Sequence, residues 1–463
     1  MVPLPAVTSP GLDVAGRRVT VFGMARSGVA AARLLVSRSA LVTVVDSQAA
    51  ECIRDRIAEV EACGAHAVPD ASSYAAFGDP ELLVVSPGVP AAHPLLSQAR
   101  RAGTGIIGEI ELAYCFCDSP IIAVTGTNGK GTVASLIGDM LRGAGFDAPV
   151  AGNIGLPLTT VVDQRHDVVV AEISSFQLET IDRFSPWIAA ILNITPDHLD
   201  RHPTMDEYVA TKSRILENQS MQDFAILNAD DPLVAPLGDR TLARSLSVSL
   251  AADTADGRLE GDELVITAPG GVSQRICSRQ TLPLGGPHNV SNALMAALAA
   301  SLCGVDVETM AEAIATQRPA VHMLSEAGVV NGVRFVDDSK ATNPAAAMAD
   351  LGAIPGPLVL IAGGDSKGLD LSEFARAAAE RAEHIVLIGR SAPEIADAIG
   401  DAAPVTRAHD MTEAVRTAFQ VSQPGWTVLL APACASLDMY RNMTERGEVF
   451  RGAVAALAES NGL

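Results

Sequence analysis

Short runs of β-branched and other apolar residues alternate with segments of helical periodicity along the chain. This alternation is typical of repeated βα units, which form largely parallel sheets covered by helices. The pattern therefore predicts an α/β fold with three successive series of units. The first series should contain strands over 18–22, 41–45 and 81–85, a helix near 28–38, and an end near Gly108.

The second series is predicted from apolar runs over 120–124, 167–173, 187–194 and 224–228. Its helices should end near Arg142, cover 208–217, and cover 289–301 before Gly304, where a glycine can cap a helix C-terminus. Between 246 and 282, short β-prone pieces broken by Asp and Gly predict an antiparallel insertion or a sheet edge.

The third series should start after Pro319, with strands over 333–336, 357–361, 384–388 and 427–430. Three series fit a length of 463 residues, because a domain commonly takes roughly 100–200 residues. We therefore expect three domains, over 1–108, 109–318 and 319–463.

The composition restricts the classes of function. Acidic residues outnumber basic ones by 54 to 33, a formal charge of −21 that argues against a nucleic-acid partner. The hydrophobic share of 48% argues against overall disorder, and no apolar stretch approaches the roughly 18 residues that a bilayer-spanning helix needs. The seven cysteines lack paired CxxC spacing, and the first residues lack a secretory pattern. We expect a soluble cytoplasmic protein without membrane insertion.

The strongest signal for chemistry is the segment Gly126-Thr-Asn-Gly-Lys-Gly-Thr132, which stands between an apolar strand and a helix. A glycine-rich turn at a helix N-terminus aims backbone N–H groups and the positive helix dipole at phosphate oxygens. The lysine adds charge, and a hydroxyl can reach a Mg²⁺ ion. Gly131 stands where the common pattern GxxxxGK[ST] has a hydroxyl, so Thr132 must take the metal-facing role. The candidate ATP-binding residues are Gly126, Thr127, Asn128, Gly129, Lys130, Gly131 and Thr132.

A second glycine-rich turn, Gly23-Met-Ala-Arg-Ser-Gly28, follows the first strand. It is similar to the dinucleotide-binding fingerprint, but Ala25 replaces the central glycine that lets a pyrophosphate approach closely. Asp46, at the end of the next strand, could bind a ribose or cap a helix. The spacing alone leaves a nucleotide site and an ordinary turn equally open.

Other polar clusters also follow apolar strands, at the edge where open α/β sheets bind ligands. Glu172 ends a strand after the phosphate loop, where a carboxylate could hold Mg²⁺. Residues 195–200 form another cluster, whereas Lys212, on a helix, would ordinarily be solvated. The C-terminal series contributes clusters over 337–343, 363–368 and 431–438. Three clusters on one sheet edge predict a site there.

In their order along the chain, these strings are similar to those of a known family. They are VTGTNGK, GNIG over 152–155, EISSFQLE over 172–179, ILNITPDHLDRH over 191–202, GPHNVSN over 286–292, DDSKATN, GGDSKG and APACASLD. The chain resembles the Mur ligases of peptidoglycan synthesis over nearly its whole length, and most specifically the members that add D-glutamate.

The resemblance implies an N-terminal Rossmann-like domain for a UDP moiety, a central P-loop-type ATPase domain with a mainly parallel sheet, and a C-terminal Rossmann-like domain that brings the amino acid. In the implied reaction, ATP phosphorylates the carboxylate of UDP-N-acetylmuramoyl-L-alanine, and the amine of D-glutamate attacks the acyl phosphate. The expected cofactors are ATP, two Mg²⁺ ions and a CO₂-derived carbamate on Lys212. A monomer is expected.

The resemblance also implies roles for individual residues. The catalytic residues would be Lys130, His198, Lys212 and Lys340. Three residues join the ATP contacts, namely Asn292, Asp338 and Lys340. Mg²⁺ would be held by Thr132, Glu172, His198 and carbamylated Lys212. The substrates would be bound by Asp46, Gly88, Asn153, Ser174, Gln177, Thr342, Lys367, Ser436 and Leu437, of which the last four would receive D-glutamate.

Four positions depart from the pattern of the family. Gly131 replaces the usual serine or threonine, and Met323 stands where an arginine usually follows His322, which removes a phosphate-facing charge. Met443 replaces an aromatic residue near the D-glutamate pocket, and Gln48 replaces an arginine-type uracil contact. We therefore expect the substitution Met323→Arg to lower the apparent KM for ATP.

Three alternatives are left to weigh. A folylpolyglutamate synthase shares GTNGKG but lacks a UDP-binding N-terminal domain and the strings SSFQLE and PACASLD. A nicotinamide oxidoreductase is disfavoured by Ala25. A non-catalytic nucleotide-binding protein is disfavoured by the joint presence of Lys130, Glu172, His198, Lys212 and Lys340.

Overall fold

Sheets rich in parallel strands dominate the fold, as the alternating pattern predicts. The computed structural model of the chain describes residues 4–153, 155–199, 201–283, 285–318 and 321–461. Within these residues there are three sheets, of five, nine and six strands. The chain divides into two units, one of Met1–Ile194, Asp206–Thr281 and Ser291–Ala315, the other of Thr195–Met205, Leu282–Val290 and Thr316–Leu463.

The first sheet lies in the first unit, and all of its described strand pairs are parallel. Its strands are β1 (Arg18–Phe22), β2 (Leu41–Val45), β3 (His66–Val68), β4 (Leu82–Val85) and β5 (Gly105–Gly108), in the order β3-β2-β1-β4-β5. The accompanying helices are α1 (Arg26–Ser37), α2 (Arg54–Ala62), α3 (Pro94–Arg101) and α4 (Glu109–Tyr114), with a 3₁₀ turn at Tyr74–Phe77. The predicted strands over 18–22 and 41–45 are confirmed, whereas β3 has only three residues and too short a pattern to be predicted.

The second sheet lies in the same unit. Its strands are β6 (Ile121–Thr125), β7 (Val150–Gly152), β8 (Val169–Glu172), β9 (Ile188–Ile191), β10 (Phe224–Asn228), β11 (Arg244–Val248), β12 (Gly257–Glu260), β13 (Glu263–Thr267) and β14 (Ser273–Ser278). They follow the order β14-β13-β12-β11-β10-β9-β6-β8-β7. The predicted antiparallel edge is confirmed for β12, β13 and β14. The prediction was wrong for residues 246–248, because β11 pairs in parallel with β10.

The helices of this central segment are α5 (Lys130–Gly143), α6 (Leu158–Val161), α7 (Ser175–Leu178), α8 (Met205–Ser213), α9 (Pro287–Leu302) and α10 (Val307–Thr316). Three 3₁₀ turns accompany them, at Arg214–Leu216, Ala235–Arg240 and Arg279–Thr281. The helix predicted over 208–217 therefore begins three residues earlier and ends in a 3₁₀ turn.

Helix α4 connects the first two sheets through buried carboxylates. Glu111 accepts backbone N–H groups from Asp182 at 2.9 Å and Phe184 at 3.0 Å. Glu109 accepts both the backbone N–H and the hydroxyl of Thr159 at 2.8 Å. Burial is the main reason that the pKa of Glu109 is raised, although the hydrogen bonds from Thr159 oppose it. These contacts fix the chain segment that leads from β5 to the strand before the phosphate loop.

The third sheet lies in the second unit. Its strands are β15 (Ser325–Val330), β16 (Val333–Asp337), β17 (Leu358–Gly363), β18 (His384–Ile388), β19 (Val405–Arg407) and β20 (Thr427–Leu430), in the order β15-β16-β20-β17-β18-β19. Its helices are α11 (Pro344–Ala353), α12 (Ser372–Arg381), α13 (Ala392–Ile399), α14 (Met411–Val421) and α15 (Met443–Ser460). Strand β15, which the pattern did not predict, is antiparallel to β16. The predicted start after Pro319 lies outside the described residues.

Both faces of the third sheet are covered, so its central strand has no polar face. Leu358, Leu360 and Ala362 of β17 pack into one apolar cluster with residues of α11, α12 and α13. Val359 and Ile361 pack into the opposite cluster with residues of α14 and α15. This explains the continuous apolar runs from which the strands were predicted. Among the described residues, no helix combines the length and the apolar character required to cross a bilayer.

Candidate functional site

The phosphate loop connects β6 to α5, as predicted. Gly126 and Gly129 both have a positive φ, of 157° and 82°, which glycine adopts without strain. Two hydrogen bonds from Asn193 hold the loop: its backbone oxygen accepts the N–H of Thr127 and its side-chain oxygen accepts the N–H of Asn128, each at 2.8 Å. Asn193 lies just after β9, the neighbour of β6 in the sheet. Its position after a strand could have identified it as a residue of the site, but this signal was not used in the sequence analysis.

Lys130 begins α5 and folds back over the loop. Its ammonium donates to the backbone oxygens of Gly126 at 3.0 Å and Thr127 at 2.8 Å. Asn292, on α9, lies at the same loop, because a β-carbon added to Gly129 would come within 2.7 Å of its Oδ1. The structure therefore brings together the predicted ATP residues of two separate sequence strings.

Lys212 is the candidate for which the sequence pattern gave no signal. It is only 1% exposed, on the last turn of α8, and its ammonium donates to the backbone oxygen of Gly126 at 2.7 Å. The ammonium also lies 4.7 Å from the ring centre of Tyr208, whose hydroxyl is 3.3 Å from that of Thr127. A buried lysine aimed at a phosphate loop is not an ordinary solvated residue.

Glu172 stands beside the phosphate loop through the sheet register, in which Val124 of β6 pairs with Glu172 of β8. The carboxylate is 4% exposed and accepts a hydrogen bond from the side-chain amide of Asn153 at 2.8 Å. An oxygen ligand at this place, with the Thr132 hydroxyl on the first turn of α5, suits Mg²⁺, which binds few carboxylates together with phosphate oxygens. Among the described residues, no group of three or more His, Cys, Asp or Glu side chains could hold a metal by itself.

Ser174 and Gln177 contact each other in a capping box at α7. The Gln177 side-chain oxygen accepts the N–H of Ser174 at 2.9 Å, and the Ser174 hydroxyl accepts the N–H of Gln177 at 3.3 Å. These bonds satisfy the helix N-terminus. The two residues are thus placed next to Glu172, and their substrate role stays a prediction.

The first sheet positions the other predicted nucleotide turn. The Asp46 carboxylate accepts the N–H groups of Met24 at 2.7 Å and Gln48 at 2.9 Å, so it fixes the turn that precedes α1. Gly88 is exposed beyond the end of β4. Arg26, which the sequence did not single out, donates to the backbone oxygen of Gly155, and this bond links the first turn to the string that contains Asn153.

In the second unit, the three predicted polar clusters follow β16, β17 and β20, which are adjacent and parallel. Asp365 and Ala435 exchange two backbone hydrogen bonds of 2.9 Å, which join the second and third clusters. Ser436 is buried and Leu437 is 70% exposed. Thr342 and Lys340 lie in the first cluster, where the N–H of Thr342 donates to the Lys340 oxygen at 2.8 Å. The prediction that these clusters share one sheet edge is confirmed.

Lys367 contacts the cluster that contains His198. Its ammonium lies 2.9 Å from Oδ1 of Asp197, and Asn343 donates to Oδ2 of the same carboxylate at 3.2 Å. The His198 ring lies 3.7 Å from Asp197, and both His198 and Lys367 have a positive φ of 54°. Burial is the largest single influence on the pKa of Asp197 and raises it, but the charges of His198 and Lys367, together with the hydrogen bonds that these two residues donate, outweigh burial and leave this pKa below its usual value. Asp200, of the same string, lies outside the described residues.

Arg446 of α15 donates hydrogen bonds to the loops that follow β16 and β20. It is 1% exposed and donates to the backbone oxygens of Ser339 at 2.8 Å and Cys434 at 2.9 Å, and to the Ser339 hydroxyl at 2.9 Å. His322 binds Asp337 at 2.6 Å and packs against Gly447, where any side chain would collide with its ring. Nothing in the spacing of the sequence identified Arg446, because a single arginine in a helix normally marks a solvated face.

Three sequence models of known domains match the chain. They are the MurD-like N-terminal domain of Mur ligases over 17–108, the Mur ligase middle domain over 124–300, and the Mur ligase glutamate ligase domain over 321–434.

Full-length relatives agree with these matches. A UDP-N-acetylmuramoylalanine–D-glutamate ligase of Pelotomaculum thermopropionicum is 41% identical over 451 residues, or 96% of this chain and 99% of the relative. A protein of the same name from Symbiobacterium thermophilum is 41% identical over 95% of this chain and 98% of its own. The crystal structure of the UDP-N-acetylmuramate–alanine ligase MurC from Thermotoga maritima superimposes with a TM-score of 0.61 at 20% identity, covering 95% of this chain and 99% of that one, which indicates a common fold. The chain therefore belongs to the Mur ligase family, among its UDP-N-acetylmuramoylalanine–D-glutamate ligases.

Proposed function

We propose that this Mur ligase joins D-glutamate to UDP-N-acetylmuramoyl-L-alanine and converts ATP to ADP and phosphate in the process, a step of peptidoglycan precursor synthesis. The observation that carries the proposal is the phosphate loop between β6 and α5, with Lys130, Asn292 and the buried Lys212 gathered at it. A nucleotide-binding regulator would need the loop and Lys130, but it would not need a further lysine buried there, as Lys212 is.

The chemistry requires an activated acyl group. A carboxylate is a poor acyl donor until one of its oxygens leaves as phosphate. The terminal carboxylate of UDP-N-acetylmuramoyl-L-alanine would take the γ-phosphoryl group of ATP, giving an acyl phosphate and ADP. The neutral amine of D-glutamate would then attack the carbonyl carbon, phosphate would leave, and the nitrogen would lose a proton to form the amide. Charge stabilisation on the phosphoryl oxygens would account for most of the acceleration.

ATP would be held by the loop amides and Lys130, with Asn292 beside Gly129 and with Asp338 and Lys340 as further contacts. In the structure Lys130 donates to loop carbonyl oxygens. Since phosphate oxygens carry more negative charge than carbonyl oxygens, we expect the ammonium to turn from the loop to the nucleotide when ATP binds. The loop amides would then keep the phosphates in register with the start of α5.

Two Mg²⁺ ions would neutralise the crowded phosphate oxygens when bound. The donors of the first unit fit this cation, because Glu172 beside the loop and the hydroxyl of Thr132 are oxygen ligands, and His198 is proposed as a further ligand. Lys212 fits only after carbamylation, because its ammonium is a cation, whereas a carbamate presents carboxylate oxygens. Its burial against Gly126 supports this assignment, since an ordinary solvated lysine would have no reason to be held there.

The acceptor would be bound by residues of the first unit. We assign the UDP moiety to Asp46 and Gly88, which lie at the C-terminal ends of β2 and β4, the ligand-binding edge of an open parallel sheet. We assign the muramoyl end to Asn153, Ser174 and Gln177, all of which lie beside Glu172. The hydrogen bond of Arg26 with Gly155 supports this arrangement, because it holds the two groups of residues together.

D-glutamate would be bound by Thr342, Lys367, Ser436 and Leu437. A dicarboxylate suits a lysine ammonium and hydroxyl donors. The loops that carry these residues follow adjacent parallel strands, which supports a shared pocket.

We further propose that residues 1–108, 109–318 and 319–463 are separate domains, and that the protein is a cytoplasmic monomer. The breaks between the matched family domains support the division. The seven cysteines are all free thiols, as expected in a reducing compartment.

The test is phosphate release with ATP and Mg²⁺, with UDP-N-acetylmuramoyl-L-alanine as acceptor and D-glutamate, L-glutamate, L-lysine or no amino acid in parallel reactions, and with a folate acceptor and L-glutamate in a further reaction. We expect release only with D-glutamate. Release with a folate acceptor and L-glutamate instead would favour a folylpolyglutamate synthase, and no release with any pair would contradict the proposal. Bicarbonate depletion, followed by its return, would test the carbamate on Lys212.

A further inference from the structure

The side chain of Asn193 extends the pairing of β6 and β9 into the phosphate loop. Past the ends of the strands, the N–H of Leu192 donates to the backbone oxygen of Thr125 at 3.0 Å. The N–H of Thr127 then donates to the backbone oxygen of Asn193 at 2.8 Å. At the next residue the side-chain amide of Asn193 replaces the backbone: Oδ1 accepts the N–H of Asn128 at 2.8 Å, and Nδ2 donates to the backbone oxygen of Asn128 at 3.1 Å. One side chain thus supplies both bonds of the next step of the ladder.

The backbone polar groups of Thr127 and Asn128 are all bonded to the protein. Besides the three bonds with Asn193, the backbone oxygen of Thr127 accepts the ammonium of Lys130 at 2.8 Å. A backbone N–H group has one proton to donate, so the N–H groups of Thr127 and Asn128 are committed to Asn193. The N–H groups that meet phosphate oxygens should therefore begin at Gly129, where α5 starts. The contribution of the preceding two N–H groups is to the shape of the loop.

The backbone on either side of Asn193 is held by residues that end or follow β10. The N–H of Ile194 donates to Oδ2 of Asp231 at 2.8 Å, and Asp231 is only 9% exposed. The side-chain amide of Asn228 donates to the backbone oxygen of Leu192 at 2.9 Å. A displacement of Asn193 would break these bonds to the neighbouring strand. The side chain of Asn193 therefore has a fixed base from which to hold the loop.

We propose that Asn193 is a positioning residue for ATP: its side chain holds the phosphate loop in the shape that receives the phosphates, so that the nucleotide does not have to order the loop when it binds. This inference rests on the proposed binding of ATP by the loop and deepens it. A segment that is already ordered loses less conformational entropy on binding, which lowers the Kd. An amide suits this task, because it satisfies one donor and one acceptor of the loop and adds no charge beside the phosphates.

The experiment compares the unmodified full chain with Asn193→Ala by calorimetric titration with ATP and Mg²⁺ and by hydrogen–deuterium exchange of peptides that cover residues 124–132. In Asn193→Ala we expect the Kd for ATP to rise by about tenfold, a change that the loss of two hydrogen bonds can supply. Without ATP, the loop peptides should exchange faster than in the unmodified protein, and saturating ATP should reduce this difference. An unchanged Kd, or unchanged exchange of the loop without ATP, would overturn the proposal.

The control Gln219→Ala separates positioning from a general loss of stability. Nε2 of Gln219 also donates to two backbone oxygens, those of Pro186 at 2.9 Å and Phe224 at 3.0 Å, but at the opposite ends of β9 and β10. Urea unfolding should show a loss of stability in both alanine variants, whereas the Kd for ATP and the exchange of the loop should change only in Asn193→Ala. An equal rise of the Kd in Gln219→Ala would assign the effect to lost stability and overturn the proposal.

A second variant keeps the test decisive if Asn193→Ala folds poorly. Asn193→Ser should repeat its result, because one shorter hydroxyl replaces an amide that bonds two groups of Asn128. The titration uses no acceptor and no amino acid, so its outcome does not depend on the identity of the ligase substrates. Failure of the unmodified protein to bind ATP would contradict the proposed function as well, whereas a normal Kd in the Asn193 variants would contradict this inference alone.

Discussion

The ammonium of Lys367 lies 2.9 Å from Oδ1 of Asp197, and both side chains are largely buried, with 15% and 7% exposed. The residue proposed to receive a carboxylate of D-glutamate is therefore already paired with a carboxylate of the protein. Asn343 binds the second oxygen of Asp197 at 3.2 Å and caps α11 with its own side-chain oxygen. D-glutamate must therefore either share Lys367 with Asp197 or displace Asp197 from Lys367.

The substitution Lys367→Met should raise the KM for D-glutamate by about tenfold to a hundredfold, since a hydrogen bond to a charged group contributes about 1.5–3 kcal/mol. The KM for ATP should change little. The substitution should also lower the free energy of unfolding, by up to about 3–5 kcal/mol, because the buried Asp197 would lose its lysine partner and keep only Asn343 and His198. Initial rates and denaturant unfolding measure the two effects.

The double substitution Asp197→Asn with Lys367→Met separates binding from stability. Removal of both charges should recover most of the lost free energy of unfolding, but the KM for D-glutamate should stay high. A double variant with a normal KM would contradict the assignment of Lys367 to the amino acid.

The substitution Gly129→Ala should disable the phosphate loop. The backbone there has a φ of 82°, and a β-carbon would come within 2.7 Å of Oδ1 and 3.0 Å of Nδ2 of Asn292. Gly145 is a matched control, because its φ is 88° but a β-carbon there meets nothing within 4 Å. In both variants the free energy of unfolding should fall by about 1 kcal/mol, because alanine is strained at a positive φ. Only Gly129→Ala should weaken ATP binding, by more than about tenfold, in calorimetric titration. Equal affinity in the two variants would show that Asn292 moves aside freely.

Many strands of this fold could be predicted because the sequence pattern that indicates them lies within the strand itself and its flanking turns. The strands β1, β2, β10, β18 and β20 agree with their predicted bounds, since each is a buried apolar run between turn residues. The strands β3 and β19 have three residues each, and β15 is a partly exposed antiparallel strand, so their patterns are too short or too mixed to predict. Residues 246–248 were misassigned because a short parallel strand with exposed positions has the same pattern as an antiparallel one.

The candidate site could be predicted only where its residues follow strands. Lys130 and Glu172 in the second sheet, and Lys340 in the third, were identifiable in this way, because the parallel strands of a sheet bring their C-terminal ends to one edge of that sheet. Lys212 and Arg446 lie on helices, and what distinguishes them from solvated residues is their burial, which only tertiary packing determines. A resemblance to a known family supplied Lys212, whereas Arg446 became visible only in the structure.

Arg446 should contribute strongly to the free energy of unfolding, because its side chain is buried. Arg441, an exposed arginine shortly before the same helix, should contribute little. The substitution Arg446→Met leaves the oxygens of Ser339 and Cys434 buried without their donors, which costs about 1–3 kcal/mol for each group. Arg441 is the control: its side chain is 84% exposed and pairs with Glu445, so Arg441→Met should change the free energy of unfolding by less than about 1 kcal/mol. Urea unfolding followed by circular dichroism compares the two, and similar losses would mean that Arg446 does not hold the loops.

The substitution Met323→Arg should lower the apparent KM for ATP. Met323 is half-buried between His322 and Leu324, both of which have a positive φ, and the His322 oxygen accepts the N–H of Lys340 at 3.1 Å. A guanidinium at this place adds a positive charge beside the loop that contains Lys340, a proposed ATP contact. An exposed or half-buried ion pair contributes about 1 kcal/mol, so the apparent KM for ATP should fall by about fivefold. Met323→Gln adds a polar group without charge and should leave the KM unchanged. Because salt screens such pairs, the difference between the two variants should shrink at high ionic strength. An unchanged or higher KM in Met323→Arg would count against a phosphate-facing position for residue 323.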